Sequence, residues 1–89
     1  MKNFGVYILK SLKDNSYYIG STDNIERRFH QHSSGFSYST KNLRPLVLAR
    51  FMTCDSLKEA RQFEYRLKKY KRKDIIEKIV VDGIFPWNH

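Results

Sequence analysis

Two charged side chains fall on helical stripes where apolar ones belong. Ile25, Arg28, Phe29 and His32 recur at i, i+3, i+4 and i+7, so a guanidinium and an imidazole share a face with two core-forming residues. A guanidinium buried alone is costly. Arg28 must be paired, aimed into a cleft, or led out to water from the stripe's edge, with His32 as amphipathic cover in the last case. Further along, Leu57, Ala60, Glu64 and Leu67 also share a face, which sets one carboxylate among apolar residues. An unpaired carboxylate there takes up a proton or seeks a cation. That cation is either Arg28, as an internal salt bridge, or a divalent metal. One carboxylate is a thin metal site; it suits Mg2+, which keeps most of its waters and binds through one or two carboxylates plus substrate phosphate.

Two tyrosines stand beside glycines in strand-like segments, Gly5-Val6-Tyr7 and Tyr18-Ile19-Gly20. Tyr18 needs no purpose beyond cross-strand packing, but glycine inside a strand marks a bulge or a close backbone approach. The charge is uneven as well. Lys58, Arg61, Arg66, Lys68, Lys69, Lys71, Arg72 and Lys73 stand against only Glu59 and Glu64 in that stretch. Such a run is either a solvated helix face, with cations favouring a helix C-terminus, or a surface for a polyanion. The whole chain carries 17 Lys plus Arg against 9 Asp plus Glu, a net charge of +8. That surplus favours nucleic acid as partner, because each phosphate neutralised releases condensed counterions. A membrane surface would call for a strongly amphipathic Trp-bearing helix, which the pattern lacks.

With 89 residues there is room for one domain, read here as 1–89, and 40% apolar with 15% aromatic residues can supply one core. Cys54 is the only cysteine, which excludes an internal disulfide and a structural zinc site of several Cys ligands. A reducing, cytoplasmic setting is expected. Nowhere do about 18 apolar residues run together, as a membrane span requires.

The elements that must position these groups follow from pattern. Residues 4–11 and 16–21 are rich in β-branched and aromatic types and flank Leu12-Lys13-Asp14-Asn15, which reads as a hairpin with a loop of four or five residues. Tyr7 and Leu9 then face one way, Val6 and Ile8 the other. Asp23 is an acidic N-cap candidate with Glu26 three residues later, so a helix is expected to start there and run to about Ser33. Residues 33–44 have no period and much Ser, an exposed loop. Leu46 to Met52 is too apolar for a one-sided strand and reads as a third strand covered on both faces. Ser56 and Glu59 form a capping box ahead of a long helix. Asp74 is expected to cap a shorter one, ended by Asp82-Gly83, with the aromatics of residues 84–89 packing back on the body. The order is β-β-α-β-α-α, an α+β domain.

Taken together, these residues resemble the GIY-YIG nuclease family. Gly5-Val6-Tyr7 matches its first element with Val for Ile, Tyr18-Ile19-Gly20 the second, Arg28 and His32 the Arg and His of the following helix, and Glu64 the metal-ligand Glu of the next long helix. The resemblance spans residues 4–82 and is to short stand-alone members, similar to the N-terminal module of the bacterial excision-repair endonuclease. It implies a small three-stranded antiparallel sheet flanked by helices, and divalent-metal-dependent hydrolysis of DNA phosphodiesters with Mg2+ or Mn2+, structure-selective and serving DNA repair or recombination. It implies Tyr7 as general base or its relay, Tyr18 on the nucleophilic water or the phosphate, Arg28 as phosphate clamp, His32 as the group that orients Tyr7 or the phosphate or shuttles a proton, and Glu64 as metal ligand. Asn88 is the only tail candidate for an Asn that many members carry, and Phe85-Pro86-Trp87-Asn88-His89 departs from that segment. Lys10 and Thr40 are either phosphate contacts or plain surface residues. Arg66, Lys68, Lys69, Lys71, Arg72 and Lys73 would track the nucleic-acid backbone without reading bases, leaving specificity to substrate shape or a partner protein. The alternative is a module of the same fold that binds DNA or RNA and does not cut.

Overall fold

The computed structural model describes residues 4–70 and 72–87. Two strands, β1 (Gly5–Ser11) and β2 (Tyr17–Thr22), form the expected hairpin. Its five-residue loop turns through Asn15, which takes the left-handed backbone (φ 64°) that Asn tolerates. Helix α1 (Ile25–Ser33) follows, then β3 (Leu46–Thr53), α2 (Leu57–Tyr70) and α3 (Lys73–Asp82). All pairing is antiparallel, in the order β2-β1-β3. Both the α+β class and the element order are as the sequence implies. Among the described residues no helix is long and apolar enough to cross a membrane.

The central strand is β1, and its alternation divides the core. Val6 and Ile8 face α2 and α3 in a cluster with Ile19, Met52, Ala60, Leu67, Ile76, Ile79 and Phe85. Tyr7 and Leu9 face the other way, onto Leu46 and the α1 residues Ile25 and Phe29. It is therefore β1, not β3, that is covered on both faces. The third strand lies at the sheet edge and leaves Val47 and Leu48 38% and 39% exposed. Its register slips by one residue between the partners of Ile8 and Leu9, which are Arg50 and Leu48, so Ala49 is the extra residue of a bulge. Neither glycine of the two triplets makes a bulge.

Several ends differ from expectation by one or two residues. The N-cap of α1 is Asn24, whose side chain accepts from Arg27 N at 3.1 Å, while Asp23 instead pairs with the Arg27 guanidinium at 2.8 Å. At the start of α2 Ser56 Oγ accepts from Glu59 N as in a capping box, but Glu59 reaches back to Asp55 N rather than to Ser56. Asp74 does not cap α3; it lies within the first turn and pairs with Arg72 at 2.7 Å. Gly83 closes α3 in the left-handed conformation (φ 73°), its N–H donating to Ile79 O. The tail packs back as expected: Phe85 is buried and stacks with Trp87, and both rings meet Phe63.

Candidate active site at the edge of the hairpin

Three of the polar residues singled out in the sequence meet on the α1 face of the sheet. The Tyr7 hydroxyl lies 2.8 Å from His32 Nε2. Arg28 Nε donates to the same phenol oxygen at 3.3 Å. His32 is fully buried, and its other nitrogen, Nδ1, is bonded to the hydroxyl of Thr40, itself fully buried.

Hydrogen accounting fixes the direction of this chain. The Tyr7 oxygen already accepts from Arg28, and the residue is almost wholly buried, so its own hydrogen would be orphaned unless it goes to His32. An unmade buried hydrogen bond costs about 1–3 kcal/mol. His32 Nε2 is therefore the acceptor, and Nδ1–H donates to Thr40 Oγ1. Burial, helped by the Arg28 charge, pushes the imidazole from 6.5 down to about 4, so it is neutral near pH 7 and keeps an Nε2 lone pair to accept the Tyr7 hydrogen bond. Burial likewise raises the Tyr7 phenol above its ordinary 10.0, against the pull of the Arg28 hydrogen bond and charge.

Tyr18 completes this face. Its ring stacks beside Tyr7 with centroids 6.4 Å apart and lies 5.3 Å from the His32 ring, and its hydroxyl accepts from Ser39 Oγ at 3.1 Å. Gly20 explains itself here. It is the cross-strand partner of Tyr7, and a Cβ on it would collide with that ring and its hydroxyl. Gly5 is the same device on a smaller scale: a Cβ there would come within 2.5 Å of Met52 O and 2.6 Å of the Phe51 ring.

Glu64 arrives from the other side. Alternation puts Ser21 on the opposite face from Gly20, toward α2, and Ser21 Oγ donates to Glu64 Oε1 at 2.6 Å. The Arg28–Glu64 salt bridge considered from sequence does not form. Arg28 Nη1 goes to Gln31 at 3.1 Å, and Glu64 Oε2 pairs with Lys68 Nζ at 2.6 Å. The carboxylate and the tyrosine–histidine group thus lie on opposite faces of the edge strand β2, and the Glu64 charge contributes, as the smallest cause, to the raised Tyr7 phenol. Lys68 bridges the two sides, its ammonium 5.8 Å from the Tyr18 ring centroid.

The remaining candidates are dispersed. Thr40, expected at a phosphate, has no exposed surface and serves His32 instead. Residues 33–44 are thus not simply an exposed loop: Thr40 is buried, a short 3₁₀ helix spans Lys41–Leu43, and Leu43 O accepts from the buried Ser11 hydroxyl. Lys10 lies half-buried with its ammonium 5.9 Å from the Tyr17 ring. The basic run is split between α2 and α3. Arg66 and Lys68, two positions apart, point about 200° apart around the helix, so Arg66 stacks on Trp87 at 3.9 Å, away from the tyrosines. Lys69 lies 4.5 Å over Tyr65, Arg72 pairs with Asp74, and Lys73 is exposed. Lys71 and Asn88 lie outside the described residues.

Glu64 offers a single carboxylate, and among the described residues no three His, Cys, Asp or Glu side chains cluster as a metal cage. The donor set fits a hydrated Mg2+ or Mn2+ held by Glu64 and completed by water and phosphate. Lys68 would have to yield one carboxylate oxygen. Its partner is four residues away on the same helix and the ammonium is half in water, so this pair is worth only about 0.3–0.5 kcal/mol.

The model described as the GIY-YIG catalytic domain matches residues 3–79. The chain is 40% identical over 75 residues to a UPF0213 protein of Staphylococcus haemolyticus, covering 83% of this chain and 90% of the relative. It is 37% identical over 85 residues to a UPF0213 protein of Clostridium perfringens, covering 94% and 90%. A UPF0213 protein of Halobacterium salinarum is 34% identical over 68 residues, covering 75% and 87%. No solved structure matches the chain. With the family match spanning most of the chain and relatives 34–40% identical over three quarters of it or more, the chain belongs to the GIY-YIG nuclease-domain family.

Proposed function

We propose that the protein is a divalent-metal-dependent endonuclease that hydrolyses DNA phosphodiester bonds, selects targets by structure, and serves DNA repair or recombination in the cytoplasm. The observation that carries this reading is the Tyr7 hydroxyl held between a neutral, buried His32 and the Arg28 guanidinium. A phenol with a raised pKa is a poor base alone. Here it need not ionise. As an attacking water gives a proton to the Tyr7 oxygen, Tyr7 passes its own hydrogen to His32 Nε2, and the hydroxide attacks phosphorus.

Arg28 has a second part in this scheme. Nε is spent on Tyr7 and Nη1 on Gln31, while Nη2 has no partner among the described residues and can donate to a phosphate oxygen. Burial is the larger cause of the low imidazole pKa and the Arg28 charge the smaller; a bound phosphodiester anion offsets the smaller one, so substrate makes His32 a somewhat better proton acceptor. Tyr18 flanks the same space and orients the water or the phosphate through its hydroxyl. Mg2+ or Mn2+ at Glu64 would supply Lewis-acid stabilisation of the leaving oxygen.

The Glu64–Lys68 pair favours a second reading, in which the site binds nucleic acid without cutting. The weakness of an exposed pair of this kind weighs against it. The test is a cleavage screen over branched, flapped, nicked and single-stranded DNA and RNA with Mg2+, Mn2+ or chelator. Metal-dependent cleavage of DNA is expected; binding without turnover on every substrate overturns the proposal in favour of the module.

A further inference from the structure

An open cavity of about 410 Å³ lies along the free edge of β2, between that strand and the junction of α2 with α3. Its apolar wall includes Tyr17 and Leu67, and its rim carries Lys68, Arg72 and Lys73. Tyr18 belongs both to its lining and to the catalytic face, and Lys68, the partner of Glu64, lines it as well, so it lies beside the candidate site. Among the described residues no carboxylate lines it, although Lys68 and Arg72 at its rim pair with Glu64 and Asp74.

We propose that this groove holds the base of an unpaired nucleotide next to the scissile phosphate, with the flanking phosphates on Lys68, Arg72 and Lys73. The inference rests on the nuclease reading and names the feature of the substrate that the site selects, a single-stranded step. Three observations support it. An apolar, aromatic wall offers a surface for a π-face and does not distinguish one base from another. Three cations around an apolar floor match a strand whose charge lies outside its bases; Lys68 and Arg72 would exchange their partly exposed partners Glu64 and Asp74 for phosphate. The volume falls in the range of small-ligand pockets, and a base locked in a duplex could not enter it.

The groove also gives the split basic run a reason. Lys68 ends up on α2 while Arg72 and Lys73 sit at the start of α3, so the bend between helices sets cations on both sides of one opening instead of along one face. Lys68 can leave Glu64 for a phosphate without a large motion, since the same ammonium stands at the rim.

The experiment measures affinity by fluorescence anisotropy in chelator, so that no cutting intervenes. The probes are labelled oligothymidylate, oligouridylate, a strand of the same length made of abasic sugar-phosphate units, and a blunt duplex. The intact strands should bind about tenfold or more tightly than the abasic one, the fold-change of one base stack. Tyr17→Ala should erase that difference, Tyr17→Phe should keep it, and neither should alter the duplex. Lys73→Glu should weaken intact and abasic strands alike. Should Tyr17→Ala fail to fold, the intact-against-abasic comparison on the natural chain still decides. Equal binding of intact and abasic strands overturns the proposal, as does a Tyr17→Ala loss that is the same for duplex. A base-dependent affinity with no cleavage in Mg2+ would leave the groove standing and remove the nuclease reading; cleavage with no base dependence would do the reverse.

Discussion

Tyr7 leans across the backbone of Gly20, its partner on the neighbouring strand, and occupies the space where any side chain on that residue would begin. The glycine is therefore part of how the phenol reaches His32. Gly20→Ala should lower stability by about 1–3 kcal/mol through overpacking and should also cost activity, because Tyr7 cannot stay both on His32 and clear of the new methyl. Thermal melting and cleavage assays on the same preparation check both halves.

Among the described residues the hydroxyl of Thr40 is the one hydrogen-bond partner of His32 Nδ1. Thr40→Val keeps the shape and removes that acceptor, at a cost of about 1–3 kcal/mol for the stranded N–H. The variant should shift the imidazole toward the other tautomer, with the proton on Nε2, which would then point at Tyr7 instead of accepting from it. Nitrogen-15 NMR of the imidazole reads this directly: an Nδ1–H signal in the natural chain, weakened in the variant, with cleavage falling in step.

His32 carries a pH signature. Its folded pKa, about 4, lies below the ordinary histidine value of 6.5, so the unfolded chain binds a proton more readily than the native one between those values. The stabilisation is present above 6.5 and is lost as pH falls toward 4, amounting to on the order of 1–3 kcal/mol. Melting curves across that window should show the loss in the natural chain, and a smaller loss in His32→Gln.

Lys68 and a divalent cation compete for the same Glu64 oxygen. Removing the ammonium frees that oxygen and takes away a like charge beside the ion. Lys68→Ala should bind Mn2+ in the absence of nucleic acid about two- to fivefold more tightly, a change of about 0.4–1 kcal/mol, while Glu64→Ala should lose the binding. Mn2+ titration followed by electron paramagnetic resonance checks both.

Much of this was legible because charge on an apolar stripe is costly and therefore informative. Arg28 and His32 stood out on the face of α1, and the structure places both beside Tyr7. Glu64 stood out in the same way, and its partner was within reach of the same pattern. Its i, i+4 neighbour Lys68 was read as a phosphate contact, although helical spacing alone pointed to the pair. Thr40 was hidden by its surroundings: a serine-rich run without period reads as solvent-exposed, and nothing local tells that its hydroxyl closes over an imidazole eight residues back. Ser21 was missed for a related reason, since its role depends on which helix crosses the back of β2. The burial of β3 was overestimated because an apolar run does not reveal strand order; two hydrophobic residues at a sheet edge look the same as two in its centre.

The most direct test of the account is the rate of DNA cleavage in Mg2+ by Tyr7→Phe beside the natural chain, with DNA affinity measured in chelator for both. Loss of the hydroxyl breaks the route from water to His32 while leaving the ring on Gly20, so the rate should fall about 10²–10⁴-fold with affinity unchanged. A Tyr7→Phe protein that cuts as fast as the natural one would contradict the proton relay and the site built around it.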